Sequence, residues 1–143
     1  MELHAPQTVI ASDEHRFRVV VCGRRFGKST LDIEEIKGKA LVSRERRIRK
    51  LNIPEDEKEL ILKMHAIDDF QCRVDYFAPT FDDARDLIWL PLCRELASVI
   101  IGEPNSTRLE IVIRNLDGGK SIIKLRSWEN IENFRGKKSD FAI

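Results

Sequence analysis

Between positions 19 and 30 the chain reads Val19, Val20, Val21, Cys22, Gly23, Arg24, Arg25, Phe26, Gly27, Lys28, Ser29, Thr30. Residues of these types in this order bind phosphate. Gly23 and Gly27 let main-chain N–H groups turn inward with no Cβ in the way. A helix that opens at Lys28 adds the partial positive charge of its N-terminus, and the Lys28 ammonium reaches the β and γ phosphates. The ligand this implies is a nucleoside triphosphate. The common form of such a loop has a glycine where Cys22 stands, so Gly23 comes one residue late and the loop is a variant form. Gly-Lys-Ser also arises by chance, and a glycine-rich turn is often only a connection. The flanks argue for a site: an apolar, β-branched run precedes the loop, and Leu31, Ile33, Ile36, Ala40 and Leu41 follow it at helical spacing.

The elements that must position this loop alternate as a parallel sheet requires. Residues 5–12 read as a short helix or turn, 17–22 as the first strand, and 28–43 as the phosphate-binding helix. The basic run 44–50 reads as a solvated helix end favoured by the helix dipole, with nucleic-acid contact as the other meaning. Asn52 and Pro54 break the chain before a short amphipathic helix over 55–65, and 44–71 reads as an insertion or connection. Residues 73–78 form a second strand ended by Pro79. Thr80 caps a helix that carries Asp82 and Asp83 in its first turn and Ala84, Leu87, Ile88 and Leu92 on its inner face; Pro91 is expected to kink or divide it. Residues 108–114 and 121–127 alternate apolar and polar residues around Leu116, Asp117, Gly118 and Gly119, a β-hairpin signal. A connection over 128–134 and a loop over 135–138 follow.

Composition bounds the function. The 143 residues make one domain, and 25 Lys and Arg against 24 Asp and Glu leave no overall basic excess of the kind that marks a dedicated nucleic-acid binder. No apolar run approaches membrane-spanning length, and the N-terminus lacks a secretory pattern. Cys22, Cys72 and Cys93 are odd in number and widely spaced, which argues against a disulfide framework or zinc site and fits a reducing cytoplasm. Hydrolysis of a phosphoanhydride needs one carboxylate to hold Mg²⁺ with the Ser29 hydroxyl and a second to orient water. Asp68, Asp69 and Asp117 are poor candidates, being outside any strand end. Phe141, Ala142 and Ile143 read as a strand just begun, so the acidic pair is expected to follow it, with the chain cut short.

Taken together, Gln7, the run from Arg16 to Thr30, Tyr76 to Phe81 with Ala84 and Arg85, and Asn133 to Gly136 before Asp140 resemble the N-terminal ATPase domain of tailed-phage terminase large subunits. The likeness spans most of the chain. It implies an α/β, P-loop NTPase fold of the ASCE, RecA-like type: a mainly parallel sheet flanked by helices, with a β-hairpin, incomplete at the C-terminus, over residues 1–143, with no nuclease domain. It implies ATP and Mg²⁺ as ligands. Gln7 would recognise adenine, and Arg24 would reach the γ-phosphate in cis. Gly23, Arg25, Phe26, Gly27, Lys28, Ser29 and Thr30 would form the nucleotide loop, with Ser29 also on the metal. The implied partners are double-stranded phage DNA, the portal protein, the terminase small subunit and further copies in a ring, in the host cytoplasm. Two other readings stay open. One is a helicase-like motor of related architecture, and the other is a non-catalytic fragment acting as a binding module.

Overall fold

The structure is a computed structural model that describes residues 2–15, 17–66 and 68–143; Arg16, part of the run that carries the resemblance, lies outside the described residues. Strands β1 (Cys72–Ala78), β2 (Glu110–Arg114), β3 (Lys120–Ser127) and β4 (Phe141–Ala142) form one sheet in the order β2-β3-β1-β4. β1 is parallel to β3, with Cys72 opposite Ser121 and Ala78 opposite Ser127, and parallel to β4, with Val74 opposite Phe141. β2 and β3 are the expected hairpin, antiparallel with Ile111 opposite Ile123. Alternation sorts the side chains. Cys72, Val74, Ala78, Ile111, Ile113, Ile123 and Leu125 enter the core, where helical residues such as Ile33, Ile36, Ala84, Ile88, Leu92 and Leu96 meet them. On the opposite face Arg126 pairs with Asp75, Lys124 pairs with Glu110 at 2.9 Å, and Phe77 packs against a tilted Trp128 ring and edge-on to Phe134. The result is a mixed α/β fold with a mostly parallel sheet.

Helices α1 (Ala5–Ala11), α2 (Lys28–Ala40), α3 (Arg44–Arg49) and α4 (Glu55–His65) precede the sheet. After β1 the Thr80 hydroxyl accepts from Asp83 N at 3.0 Å, and Asp83 Oδ2 accepts from Thr80 N at 3.2 Å, a reciprocal cap that starts the next helix where expected. That helix changes register as it runs, from α5 (Phe81–Asp83) through a π-helical turn (Ala84–Trp89) to α6 (Leu90–Leu96). Pro91 has no N–H and its ring crowds the carbonyl four residues back, and the wider turn just before it relieves that conflict. The same turn rotates the inner face. Ala84, Ile88 and Leu92 are buried, but Leu87 is 56% exposed and Trp89 takes its place in the core.

The expected first strand over 17–22 is not a strand. The segment has no regular secondary structure and lies outside the sheet, with Phe17 83%, Val19 92% and Val21 94% exposed. A cleft of about 700 Å³, lined on one side by Phe17, Arg18 and Val20 and on the other by Phe141, Ala142 and Ile143, separates it from β4. A β-branched run becomes a strand only when a neighbour offers its hydrogen bonds, and here none is adjacent. The basic run departs from expectation in part: Arg46, Arg49 and Lys50 are exposed, but Arg44 and Arg47 are not. α2 stops at Ala40, and Ser43 caps a separate α3 by accepting from Arg46 N at 3.2 Å. Arg44 is buried, and Arg47 donates to the Lys39 and Val42 carbonyls. These arginines are held by the fold and do not form a solvated end.

Candidate functional site

The direction of α2 follows from its two ends. The Lys39 carbonyl accepts from Cys72 Sγ at 3.4 Å where β1 begins, and Asp32 Oδ2 accepts from Tyr76 Oη at 3.3 Å near where β1 ends. α2 therefore runs antiparallel to β1, and its N-terminus projects past the carboxyl ends of the parallel strands, where open α/β sheets bind ligands. Ile33, Ile36 and Ala40 bury one side of the helix in the core and fix that direction, and Leu31 is buried on the other side.

At that end Gly27 is the N-cap, in the left-handed region at φ 80°, with no side-chain cap. The first intrahelical bond runs from Leu31 N to the Gly27 carbonyl at 3.1 Å. The N–H groups of Lys28, Ser29 and Thr30 come before it and take no capping side chain, so the positive end of the helix dipole is open. Lys28 is exposed, and its Nζ donates to the Gly23 carbonyl at 3.2 Å, folding the ammonium back over the loop. Arg24 and Arg25 are exposed on the loop, while Phe26, Ser29 and Thr30 are half-buried. The loop's positive φ values fall at Gly27 and at Arg25 (63°), whereas Gly23 is not in that region and has open space around its Cα.

Gln7 joins this loop from α1. It is 2% exposed, and its Nε2 donates to the Phe26 carbonyl at 3.0 Å and to the Gly27 carbonyl at 2.9 Å. Its Oε1 accepts from His4 N at 3.0 Å. His4 adds a second tie, with Nε2 at 2.9 Å from the Phe26 carbonyl and its ring edge-on to the Phe26 ring. The resemblance singled out Gln7 but not His4; the signal for His4 was its pairing with Gln7 three residues later across a helix start.

Asp32 was also missed, and Tyr76 was named only in the run that carries the resemblance, with no role at the site. Asp32 lies one turn after Lys28 on α2, and Tyr76 is the core-facing residue of β1 opposite it. Burial raises the Asp32 carboxyl, partly offset by the Tyr76 hydrogen bond and by Lys28, and burial together with Asp32 pushes the Tyr76 hydroxyl up. Arg18 makes a two-pronged bond to Glu35, at 3.0 and 2.7 Å, and so pins the 17–22 segment to α2.

The acidic candidates of the sequence lie elsewhere. Asp68 pairs with Arg73 at 2.7 Å, Lys138 at 3.0 Å and Arg44 at 3.3 Å, and Asp140 pairs with Arg44 at 2.7 Å and accepts from Arg73 N at 2.8 Å. This cluster sits where β1 and β4 begin, the end of the sheet away from Lys28. Burial alone would raise both carboxyls; Arg73 and Lys138 hold Asp68 well below the usual range, and Arg44 with the Arg73 amide holds Asp140 below it. Asp69 is exposed, and Asp117 accepts from Ser43 N at 3.1 Å, tying the hairpin turn to α3. Among the described residues no group of three or more His, Cys, Asp or Glu side chains is arranged to hold a metal ion, and no helix is long and apolar enough to cross a membrane. Comparison with protein-family models, with curated proteins and with solved structures finds no match for this chain.

Proposed function

We propose that the loop 23–27 and the first turn of α2 bind a nucleoside triphosphate, and that the chain is the ATP-binding part of a DNA-packaging motor of the terminase large subunit kind, with an ASCE, RecA-like core. One observation carries the first step: an uncapped helix N-terminus, led by a left-handed Gly27 and flanked by Lys28, opens at the carboxyl ends of a parallel sheet. These groups fit a polyphosphate. Several main-chain donors and an ammonium stand where no side chain caps the helix, with the exposed arginines Arg24 and Arg25 on the same loop. The N–H groups of residues 28–30 and Lys28 would hold phosphate oxygens, Arg24 would face the terminal phosphate, and Ser29 would contribute its hydroxyl to Mg²⁺. When bound, the metal would draw off charge from the phosphate oxygens.

The motor reading rests on the resemblance. Double-stranded DNA, a portal protein, a small subunit and a ring of copies are the partners it brings. Turnover is a separate matter. Asp32, the carboxylate nearest Lys28 along α2, is engaged with Tyr76, and among the described residues no carboxylate is hydrogen-bonded to Ser29. That favours binding with negligible hydrolysis by this chain, the behaviour of a non-catalytic module. Calorimetric titration with Mg²⁺ and a non-hydrolysable ATP analogue tests the proposal. Lys28→Ala removes a charged partner of the phosphates and weakens binding by about tenfold to a hundredfold. Equal binding by the variant overturns the site, and ATP hydrolysis that Lys28→Ala abolishes overturns the non-catalytic reading.

A further inference from the structure

We infer that Gln7 is a positioning residue of the phosphate loop, and that the site selects its ligand by the polyphosphate and not by the base. The inference rests on the triphosphate site proposed above. A side-chain amide offers two N–H donors and one oxygen acceptor for recognition. In Gln7 each is committed within the protein: both donors to the carbonyls of Phe26 and Gly27, and the oxygen to the His4 amide. At 2% exposure the side chain has no face left for a base edge. Its contacts fall at the point where the loop turns into α2. The Gly27 carbonyl it holds is also the acceptor of the first helical bond, from Leu31 N, so Gln7 fixes the direction in which the open N–H groups of residues 28–30 point. His4 grips the same Phe26 carbonyl from the other side. α1 thus acts as a clamp on the loop, and the clamp closes only over a residue without a Cβ, since one at Gly27 would lie 2.6 Å from Gln7 Nε2.

A site whose amide read adenine would separate ATP from GTP by orders of magnitude. A clamped loop with no such reader binds Mg²⁺ complexes of ATP, GTP and inorganic tripolyphosphate without discrimination by orders of magnitude. The test is titration of the wild type, Gln7→Ala and His4→Ala with these three ligands, well below the melting temperature. Gln7→Ala is expected to weaken all three by the same factor, about tenfold for two lost amide bonds, and His4→Ala to weaken all three by a smaller common factor. The ratio between ligands does not depend on how much of the variant is folded. In the unliganded Gln7→Ala protein the amide resonances of Lys28 and Ser29 shift while those of Ile33 and Ile36 do not, a change that a merely structural role for Gln7 would not confine to the loop. Loss of ATP affinity with GTP and tripolyphosphate unchanged overturns the inference and leaves the phosphate site standing. Failure of the wild type to bind any of the three overturns the site and the inference with it.

Discussion

Replacing Gly27 by alanine places a methyl group on an atom that already has an occupant. Two costs follow from the geometry. At φ 80° an alanine gives up about 1–2 kcal/mol relative to glycine because its Cβ crowds the backbone. The new Cβ would also lie 2.6 Å from Gln7 Nε2, with Gln7 Cδ at 3.8 Å and Thr30 Oγ1 at 3.9 Å. Gln7 is buried, so it moves only by releasing the Phe26 and Gly27 carbonyls, at about 1 kcal/mol each. The total is about 3–4 kcal/mol, a large share of a domain's stability, and for a chain of this length it lowers the melting temperature by about 10 °C. Urea unfolding followed by circular dichroism measures it. A double-mutant cycle separates the parts: in a Gln7→Ala background the clash is gone, and Gly27→Ala then costs only the backbone portion, leaving a coupling of about 2 kcal/mol. A Gly27→Ala loss under about 0.5 kcal/mol, or strictly additive effects, would refute the clamp geometry.

Other outcomes follow from the ion cluster and the cysteines. Arg44→Met leaves Asp68 and Asp140 short of a buried partner and should destabilise the fold by about 3–5 kcal/mol in urea titrations; a change within experimental error would show that the cluster is not closed in solution. Both carboxyls are held below their unfolded values, so their contribution is complete above about pH 4 and is lost as pH falls further through the folded values. Acid unfolding of the wild type should therefore steepen below about pH 4, and Asp140→Asn should flatten that limb; an unchanged profile speaks against the pairing. Burial pushes the Cys72 thiol up to about 11, and it should resist a maleimide reagent until the protein unfolds, whereas the half-buried Cys22 reacts in the native state. Equal labelling rates would place Cys72 at the surface.

How far the fold was legible depended on whether its causes were local. The hairpin was plain because its alternation and turn chemistry are contained in the segment: Asn115 Oδ1 accepts from Asp117 N and Gly119 N, and Gly118 takes φ 82°. The Thr80 cap and the start of α2 were equally local. The 17–22 run misled because β-branched residues favour a pleated, half-buried surface, and the surface has to be supplied by a neighbouring strand. Arg44 and Arg47 looked like a solvated charge run because their acidic and aromatic partners, Asp140 and Phe141, lie far along the chain. Leu87 and Trp89 exchanged places because a π-helical turn breaks the 3.6-residue period on which the inner face was read. At the candidate site, residue types and spacing pointed to Lys28 and Ser29, and the resemblance pointed to Gln7. They did not reveal that Gln7 faces the loop, since that depends on how α1 packs against a segment some twenty residues away.

The account turns on whether the open N–H groups at the start of α2 receive phosphate, and backbone amide spectroscopy answers that directly. Titrating ¹⁵N-labelled protein with inorganic tripolyphosphate and Mg²⁺ should move the amide resonances of Gly27, Lys28, Ser29 and Thr30 in a saturable way, with little change in β2 and β3. Shifts scattered over exposed lysines and arginines without saturation, or none in residues 27–30, would contradict the assignment of this helix terminus as the ligand site.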